Sequence, residues 1–137
     1  MNKLILGITG SKTYENKLKI KEFIFKLRSQ TKDSIQIVGL GDKNGADQHI
    51  KKYALEFGYD YKEMNPPHTV KNLYSLMSEG YYAKPYNPRS HHGRMQIYAQ
   101  YVHKCVVFND NNNSDTKITN LIKQFSRVKK RVIILES

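Results

Sequence analysis

The sequence predicts an α/β fold of Rossmann type, a three-layer sandwich built on a mainly parallel five-stranded sheet. Short apolar runs alternate with amphipathic segments along the chain, which is the pattern of consecutive βαβ units. Glycine-containing turns follow the first two apolar runs, where parallel strands lead into helices. The chain has 137 residues, of which 39% are apolar, so residues 1–137 are expected to form a single domain.

The first half of the chain is predicted to form two βαβ units. Apolar residues recur at i, i+3, i+4 and i+7 after the first turn, which predicts an amphipathic helix there. A second helix should follow the glycine-rich turn, with Asn44 as its N-cap and Asp47 at the third helical position, as in a capping box. The predicted elements are the strand Lys3–Thr9, the helix Asn16–Ser29, the strand Ile35–Leu40, the helix Gly45–Phe57 and the strand Tyr59–Met64.

The second half is predicted to contain three helices, two strands and one long irregular stretch. Thr69 is expected to cap a helix that runs through Glu79, with Leu73 among its inward-facing residues. Residues 80–92 contain two prolines and three tyrosines, which favours a binding loop. The remaining predicted elements are the helix His92–Val102, the strand His103–Asn109, the helix Thr116–Ser126 and the strand Arg131–Leu135.

Composition limits the class of protein and its partners. The net charge of +11 favours anionic partners, such as nucleotides, nucleic acid or acidic proteins. No apolar run is long enough to cross a membrane, and the N-terminus is predicted to be a strand rather than a signal peptide, so a cytoplasmic protein is expected. Cys105 is the single cysteine, which excludes an internal disulfide, and it is expected to be buried in a strand rather than to act as a nucleophile. No metal or cofactor is expected.

Two turns are the strongest candidates for phosphate binding. Each follows a predicted strand, and backbone N–H groups that open a helix suit an anion because they have no intrahelical acceptor. Each could instead be a plain tight turn with a helix cap, and the carboxylate after the second turn could cap the helix or accept a hydrogen bond from a ribose. We predict that the amides of both turns converge on one anion pocket. The candidate residues are Gly10, Ser11, Lys12, Thr13, Gly41, Asp42, Lys43, Asn44, Gly45 and Asp47.

Further candidates lie in the second half of the chain. Arg94 precedes the fourth strand, where its guanidinium could bind phosphate through two hydrogen bonds or form a surface salt bridge. Tyr82 could stack on a base or pack the loop against the body of the protein. The neighbouring histidines at 91 and 92 have no acidic residue at ligating spacing, which disfavours a metal site. The remaining candidate binding residues are His91, Ser114, Asp115 and Thr116.

The order of these motifs resembles the SLOG superfamily, in particular its small YspA-like branch. That branch has a first strand ending in Gly-Ser-Arg, a second ending in Gly-Gly-x-x-Gly-Ala-Asp, an Arg-Asn helix before strand four and a late Gly-Thr turn. The resemblance covers nearly the whole chain, and its Gly-Ala-Asp element is the most specific part. The corresponding segments here are Gly10-Ser11-Lys12, residues 41–47 (GDKNGAD), Arg94-Met95, Ser114-Asp115-Thr116 and the loop Tyr82–Tyr86.

The resemblance implies a binding protein for a nucleotide-derived ligand. Enzymes of the superfamily release the base from nucleoside 5′-monophosphates and pair an arginine with a glutamate just after the Gly-Thr turn. Residues 117–120 are KITN here, so the carboxylate that such hydrolysis requires is missing unless Asp110 or Asp115 supplies it. We therefore expect binding rather than catalysis, in a homo-oligomer whose subunits pair through helices.

The ligand class expected from the resemblance is a nucleotide signal. It would be ADP-ribose-like, cyclic ADP-ribose-like or a cyclic nucleotide, and the protein would sense or sequester it, for example as a phage protein that removes a host immune signal. Two alternatives stay open. The first is phosphoribohydrolase (N-glycosidase) activity with an unusual acid, and the second is single-stranded nucleic-acid binding of the kind known for DprA proteins, for which the charge of +11 is the main support.

Overall fold

A computed structural model describes residues 3–110 and 116–136, apart from the side chain of His91. It confirms the predicted fold class, because one all-parallel sheet of five strands is flanked by four helices. None of the described helices combines the length and the apolar character needed to cross a lipid bilayer. The elements are β1 (Lys3–Gly10), α1 (Lys17–Gln30), β2 (Ser34–Gly39), α2 (Ala46–Glu56), β3 (Asp60–Glu63), α3 (Arg89–Tyr101), β4 (Lys104–Asn109), α4 (Thr116–Arg127) and β5 (Val132–Glu136), with one 3-10 turn at Glu79–Tyr81.

The strand order β3-β2-β1-β4-β5 places β1 at the centre of the sheet. The chain first builds outward from β1 to β2 and β3, then crosses to β4 and β5 on the other side. The carboxyl ends of β1 and β4 therefore lie at the point where the direction of winding reverses. Ligands of open α/β sheets bind in the crevice at such a point, because the loops on either side diverge there.

Each face of the sheet carries its own apolar core. Leu6 and Ile8 of β1 pack in one core with buried residues of α1 and α2. Val107 of β4 packs in the other with buried residues of α3 and α4. Cys105 belongs to this second core, as predicted, and burial raises the pKa of its thiol to about 12. Strands covered on both faces are typical of all-parallel sheets.

The segment between β3 and α3 differs from the prediction. The helix expected from Thr69 to Glu79 does not form, and Leu73, expected to face inward, is 82% exposed. The side chains of Asn72 and Ser75 instead bond to nearby backbone N–H groups, which competes with helix formation. The segment forms a bridge from Ser75 to Glu63 at the end of β3. Elsewhere α3 begins at Arg89 instead of His92, and the other elements begin and end within one residue of their predicted bounds.

Two glycines allow the turns after β1 and β2 to lie against each other. Gly45 has a φ of +72°, and a Cβ atom there would lie 2.3 Å from the carbonyl oxygen of Ser11. A Cβ on Gly10 would lie 2.5 Å from the Cβ of Ala46. The amide of Ala46 donates to the carbonyl oxygen of Ser11 over 3.2 Å. Backbone contact therefore sets the distance between the two turns.

We expect the substitution Gly45→Ala to lower the free energy of unfolding by about 1–3 kcal/mol, because alanine is strained at this φ and its methyl group has no space. Urea unfolding measures the change. Gly93→Ala is the matched control, since a Cβ there meets nothing within 4 Å and a helical alanine should add roughly 0.5–1 kcal/mol. Equal effects of the two substitutions would contradict the close approach of the turns.

Candidate functional site

A cleft with two lobes lies at the carboxyl edge of the sheet, beside the turns that follow β1 and β2. Lobe A has a volume of about 710 Å³ and includes Glu63 and Asn65 from the end of β3. Lobe B has a volume of about 670 Å³ and is lined by residues of α3 and α4. Lys12, Asp42 and Tyr86 line both lobes, so the lobes meet at these side chains. Both volumes are typical of small-molecule sites, which occupy roughly 300–1,000 Å³.

A buried group of charges forms the floor between the lobes. The Nζ atom of Lys117, in the first turn of α4, lies 2.8 Å from Asp42 Oδ2 and 2.8 Å from Asp47 Oδ2. Asp47 also accepts a hydrogen bond from the hydroxyl of Thr9 over 2.6 Å and one from the backbone N–H of Asp42 over 3.1 Å. Its carboxylate thus joins β1, the turn after β2, α2 and α4.

The capping prediction for α2 is wrong. The N-cap residue is Gly45, which has no side chain to accept a hydrogen bond. Asp47 is 2% exposed and points into the floor, where its carboxylate has the partners just described. It lines neither lobe. Asn44, the expected cap, is exposed and lines lobe A.

Arg94 supports the same floor from α3. Its Nη1 atom donates to the carbonyl oxygens of Leu40 and Met64, over 2.7 and 3.1 Å, at the ends of β2 and β3. Its Nη2 atom lies 3.5 Å from Asp42 Oδ1. The side chain is 3% exposed, so the surface salt bridge considered from the sequence is wrong. Arg94 lines lobe B, and its Nε has no hydrogen-bond partner within residues 3–110 and 116–136.

The charges in the floor shift one another's pKa values. Burial alone would raise the pKa of Asp42, but the cations of Lys117 and Arg94 outweigh it and hold that pKa at about 2. Burial raises the pKa of Asp47, and Lys117 opposes the rise. Burial would lower the pKa of Lys117, but Asp47 and Asp42 raise it instead. At neutral pH Asp42 is therefore ionised and Lys117 is protonated.

Lobe A contains a second buried carboxylate, which the sequence did not single out. Glu63 is 2% exposed and accepts hydrogen bonds from Tyr61 and Asn72, both over 2.9 Å. The Nζ of Lys51 lies 3.3 Å from it. Asn65 binds the same irregular segment by donating to Thr69 and accepting from Ser75. In the sequence, the only local sign of this buried carboxylate is that Glu63 lies near the end of a predicted strand.

Several backbone amides of the two turns have acceptors within the protein. Ser11 N–H donates to Phe108, and Asp42 N–H to Asp47. The amides of Ser11 and Asp42 therefore cannot bind an anion, which corrects the prediction for these two residues. The amide of Ala46, which follows the second predicted turn, is also engaged. The positive charge that faces the cleft comes instead from side chains. Lys12 and Lys43 are both exposed and line it.

The other predicted residues do not all reach the cleft, and Thr13 is exposed outside it. Thr116 lines lobe B, while the hydroxyl of Thr13 donates to the carboxylate of Asp110. Tyr82 is 5% exposed and packs edge-on against Tyr81, which agrees with the packing alternative. Ser114, Asp115 and the side chain of His91 lie outside the described residues. Within the described ranges, no three His, Cys, Asp or Glu side chains are grouped so that they could hold a metal ion.

No protein-family model matches this chain, and no curated protein matches it in sequence. The resemblance to the SLOG superfamily therefore stays a prediction that depends on the motifs quoted above. The fold and the two-lobed cleft are the features of the molecule that bear on its function.

Replacing Lys117 with methionine should lower the free energy of unfolding by about 3–5 kcal/mol, because two buried carboxylates lose their shared cation. Chemical denaturation measures the loss. Lys123→Met is the control on the same helix, since Lys123 is exposed and its substitution should change stability by less than about 0.5 kcal/mol. A similar small effect for both would show that the buried ion pairs do not stabilise the fold.

The low pKa of Asp42 predicts a specific dependence of stability on pH. The pKa is about 2 in the folded protein, below the value of about 3.9 expected for an unfolded chain. Ionised Asp42 therefore contributes on the order of 2 kcal/mol to the free energy of unfolding above about pH 4, and this contribution disappears as the pH falls towards 2. The difference in unfolding free energy between the wild type and Asp42→Asn should shrink over this interval. A constant difference across a pH series of urea titrations would contradict the assignment.

Proposed function

We propose that the cleft binds a small, anionic, nucleotide-derived ligand, and that the protein holds this ligand without converting it. The observation that carries the proposal is the imbalance of charge around the cleft. Among the described residues, six cationic side chains and two carboxylates line the two lobes. The cations are Lys12, Lys43, Lys51, Arg94, Lys117 and Lys123, and the carboxylates are Asp42 and Glu63.

The two carboxylates are already matched by groups of the protein. Asp42 has Lys117 and Arg94 beside it, and Glu63 has Lys51 together with two hydrogen-bond donors. The exposed lysines on the walls therefore dominate the field that a ligand meets. Such a cationic cleft favours anions and speeds their association.

The position and shape of the cleft favour a nucleotide among possible anions. It lies beside the carboxyl ends of β1 and β2, next to the switch point where α/β proteins bind nucleotides. Tyr86 is 63% exposed and offers an aromatic face where the lobes meet. A base can stack on such a ring. The ADP-ribose-like and cyclic nucleotide ligands expected from the resemblance belong to this class.

The chemistry of the two carboxylates favours binding over hydrolysis. Cleavage of an N-glycosidic bond needs a carboxyl group that can donate a proton or stabilise the developing sugar cation. Asp42, with a pKa of about 2, cannot donate a proton at neutral pH, and its charge is shared with two cations. Glu63 is engaged by Tyr61 and Asn72. Sequestration or sensing of an unchanged ligand is the function that this arrangement supports best.

A thermal-shift screen with AMP, ADP, ADP-ribose, cyclic AMP and cyclic dinucleotides tests the proposal. A ligand at about one hundred times its dissociation constant should stabilise the protein by roughly 2.7 kcal/mol. Lys12→Gln should weaken binding about tenfold, because it removes a charge worth about 1.4 kcal/mol at the meeting point of the lobes. Lys32→Gln is the control, because Lys32 lines a pocket with Ser34 at the opposite edge of the sheet.

Three results would contradict the proposal in different ways. If none of these compounds stabilises the protein, the proposal of nucleotide binding is wrong. Release of free base from a bound nucleotide, detected by chromatography, would indicate an N-glycosidase. Affinity for oligonucleotides that rises with their length and falls steeply with salt would indicate single-stranded nucleic-acid binding.

A further inference from the structure

We infer that the ligand has two arms joined by an anionic linkage, with one arm in each lobe and the linkage beside Lys12 and Tyr86. The inference rests on the proposed function and specifies the class of nucleotide. The predicted ligand is a nucleoside whose phosphate carries a second bulky group, as in a pyrophosphate-linked or phosphodiester-linked compound. A simple mononucleotide would occupy one lobe and leave the other without an occupant.

The cleft is divided into two lobes of similar size. The lobes have volumes of about 710 and 670 Å³, and either alone is large enough for a nucleoside-sized group. They share only Lys12, Asp42 and Tyr86 among their described lining residues. A ligand that fills both lobes must therefore pass beside these three side chains.

Cations surround the point where the lobes meet. Asp42 is negative there, but Lys117 lies 2.8 Å from it and Arg94 lies 3.5 Å from it. Lys12 adds a third cation near the same carboxylate and lowers its pKa further. Because Lys117 is also shared with Asp47, the three cations face two carboxylates and leave one positive charge for a ligand. The linking group is therefore expected to be a phosphate.

The two lobes differ in the polar groups that line them. In lobe B, Arg94 Nε is a donor and Asn120 Oδ1 is an acceptor, and neither has a partner within the described part of the chain. Buried polar groups are seldom left this way in a native protein. Both residues line lobe B, and the edge of a base carries donors and acceptors of these two kinds, so we assign the base-bearing arm to lobe B.

Lobe A offers different recognition. Its buried polar groups, Glu63 and Asn65, are bonded to other side chains. Lys43 and Lys51 line the same lobe. These features favour an arm that is rich in hydroxyl groups or carries further negative charge, such as a second sugar phosphate.

Isothermal titration with AMP and ADP-ribose as probes tests the two-arm ligand. ADP-ribose should bind about a hundredfold more tightly than AMP, because its second arm is attached to the first. Val70→Trp places a bulky ring at lobe A, where Val70 is 71% exposed, and should reduce the affinity for ADP-ribose to that for AMP. Thr119→Trp, at an exposed position in lobe B, should weaken the binding of both probes. Leu73→Trp is the matched control, because Leu73 is exposed in the same segment as Val70 and lines neither lobe.

The outcomes separate this inference from the proposed function. Equal affinities for AMP and ADP-ribose, or an unchanged preference in Val70→Trp, would overturn the two-arm ligand while leaving nucleotide binding in place. Failure of both probes and of every compound in the wider screen would overturn both proposals. The melting temperature of each unliganded variant shows whether the substitution has disturbed the fold instead of the lobe.

Discussion

The ion pairs of Lys117 with Asp42 and Asp47 hold together the parts of the chain that form the cleft. They join α4 to α2 and to the turn after β2, and Thr9 attaches the group to β1. Removing charges from water costs several kcal/mol per ion, and only close contacts with full hydrogen bonding offset that cost. The 2.8 Å distances and the donors around Asp47 provide such contacts. Truncating Lys117 would leave two buried carboxylates without their shared cation.

This arrangement also determines the electrostatic character of the cleft. A carboxylate on the wall of an anion site would normally repel the ligand. Here the negative charge of Asp42 is balanced by the buried cations of Lys117 and Arg94. Lys12, Lys43 and Lys123 are exposed at the surface. The ion pairs that stabilise the fold are therefore buried, whereas the lysines that a ligand would meet face solvent.

Local patterns in the sequence are sufficient to predict the sheet and its four flanking helices, because apolar periodicity reflects which face each element buries. They fail between β3 and α3, where Asn72 and Ser75 bond to the backbone and override an apolar pattern of helical spacing. Boundaries elsewhere follow the predicted turns closely. The positions of the two glycine-containing turns were therefore predictable, and so was the edge of the sheet that carries the cleft.

The roles of individual charged residues were much harder to predict. Asp47 and Lys117 are 70 positions apart, and each fits a simpler local role. Asp47 has the spacing of a capping residue. The sequence around Arg94 gives no sign that its guanidinium is buried. One signal was present, because the helix dipole disfavours a lysine in the first turn and a nearby carboxylate offsets that effect. Only the folded chain identifies that partner.

The direct backbone contact between Gly45 and Ser11 makes one side of the cleft rigid. The opposite wall, residues 66–88, is attached to the end of β3, because Glu63 exchanges backbone hydrogen bonds with Tyr74 and Leu76 and the side chain of Asn65 binds Thr69 and Ser75. Both sides of the cleft are therefore fixed to the carboxyl edge of the sheet. A ligand that fits between them would lose little free energy to ordering of the protein on binding.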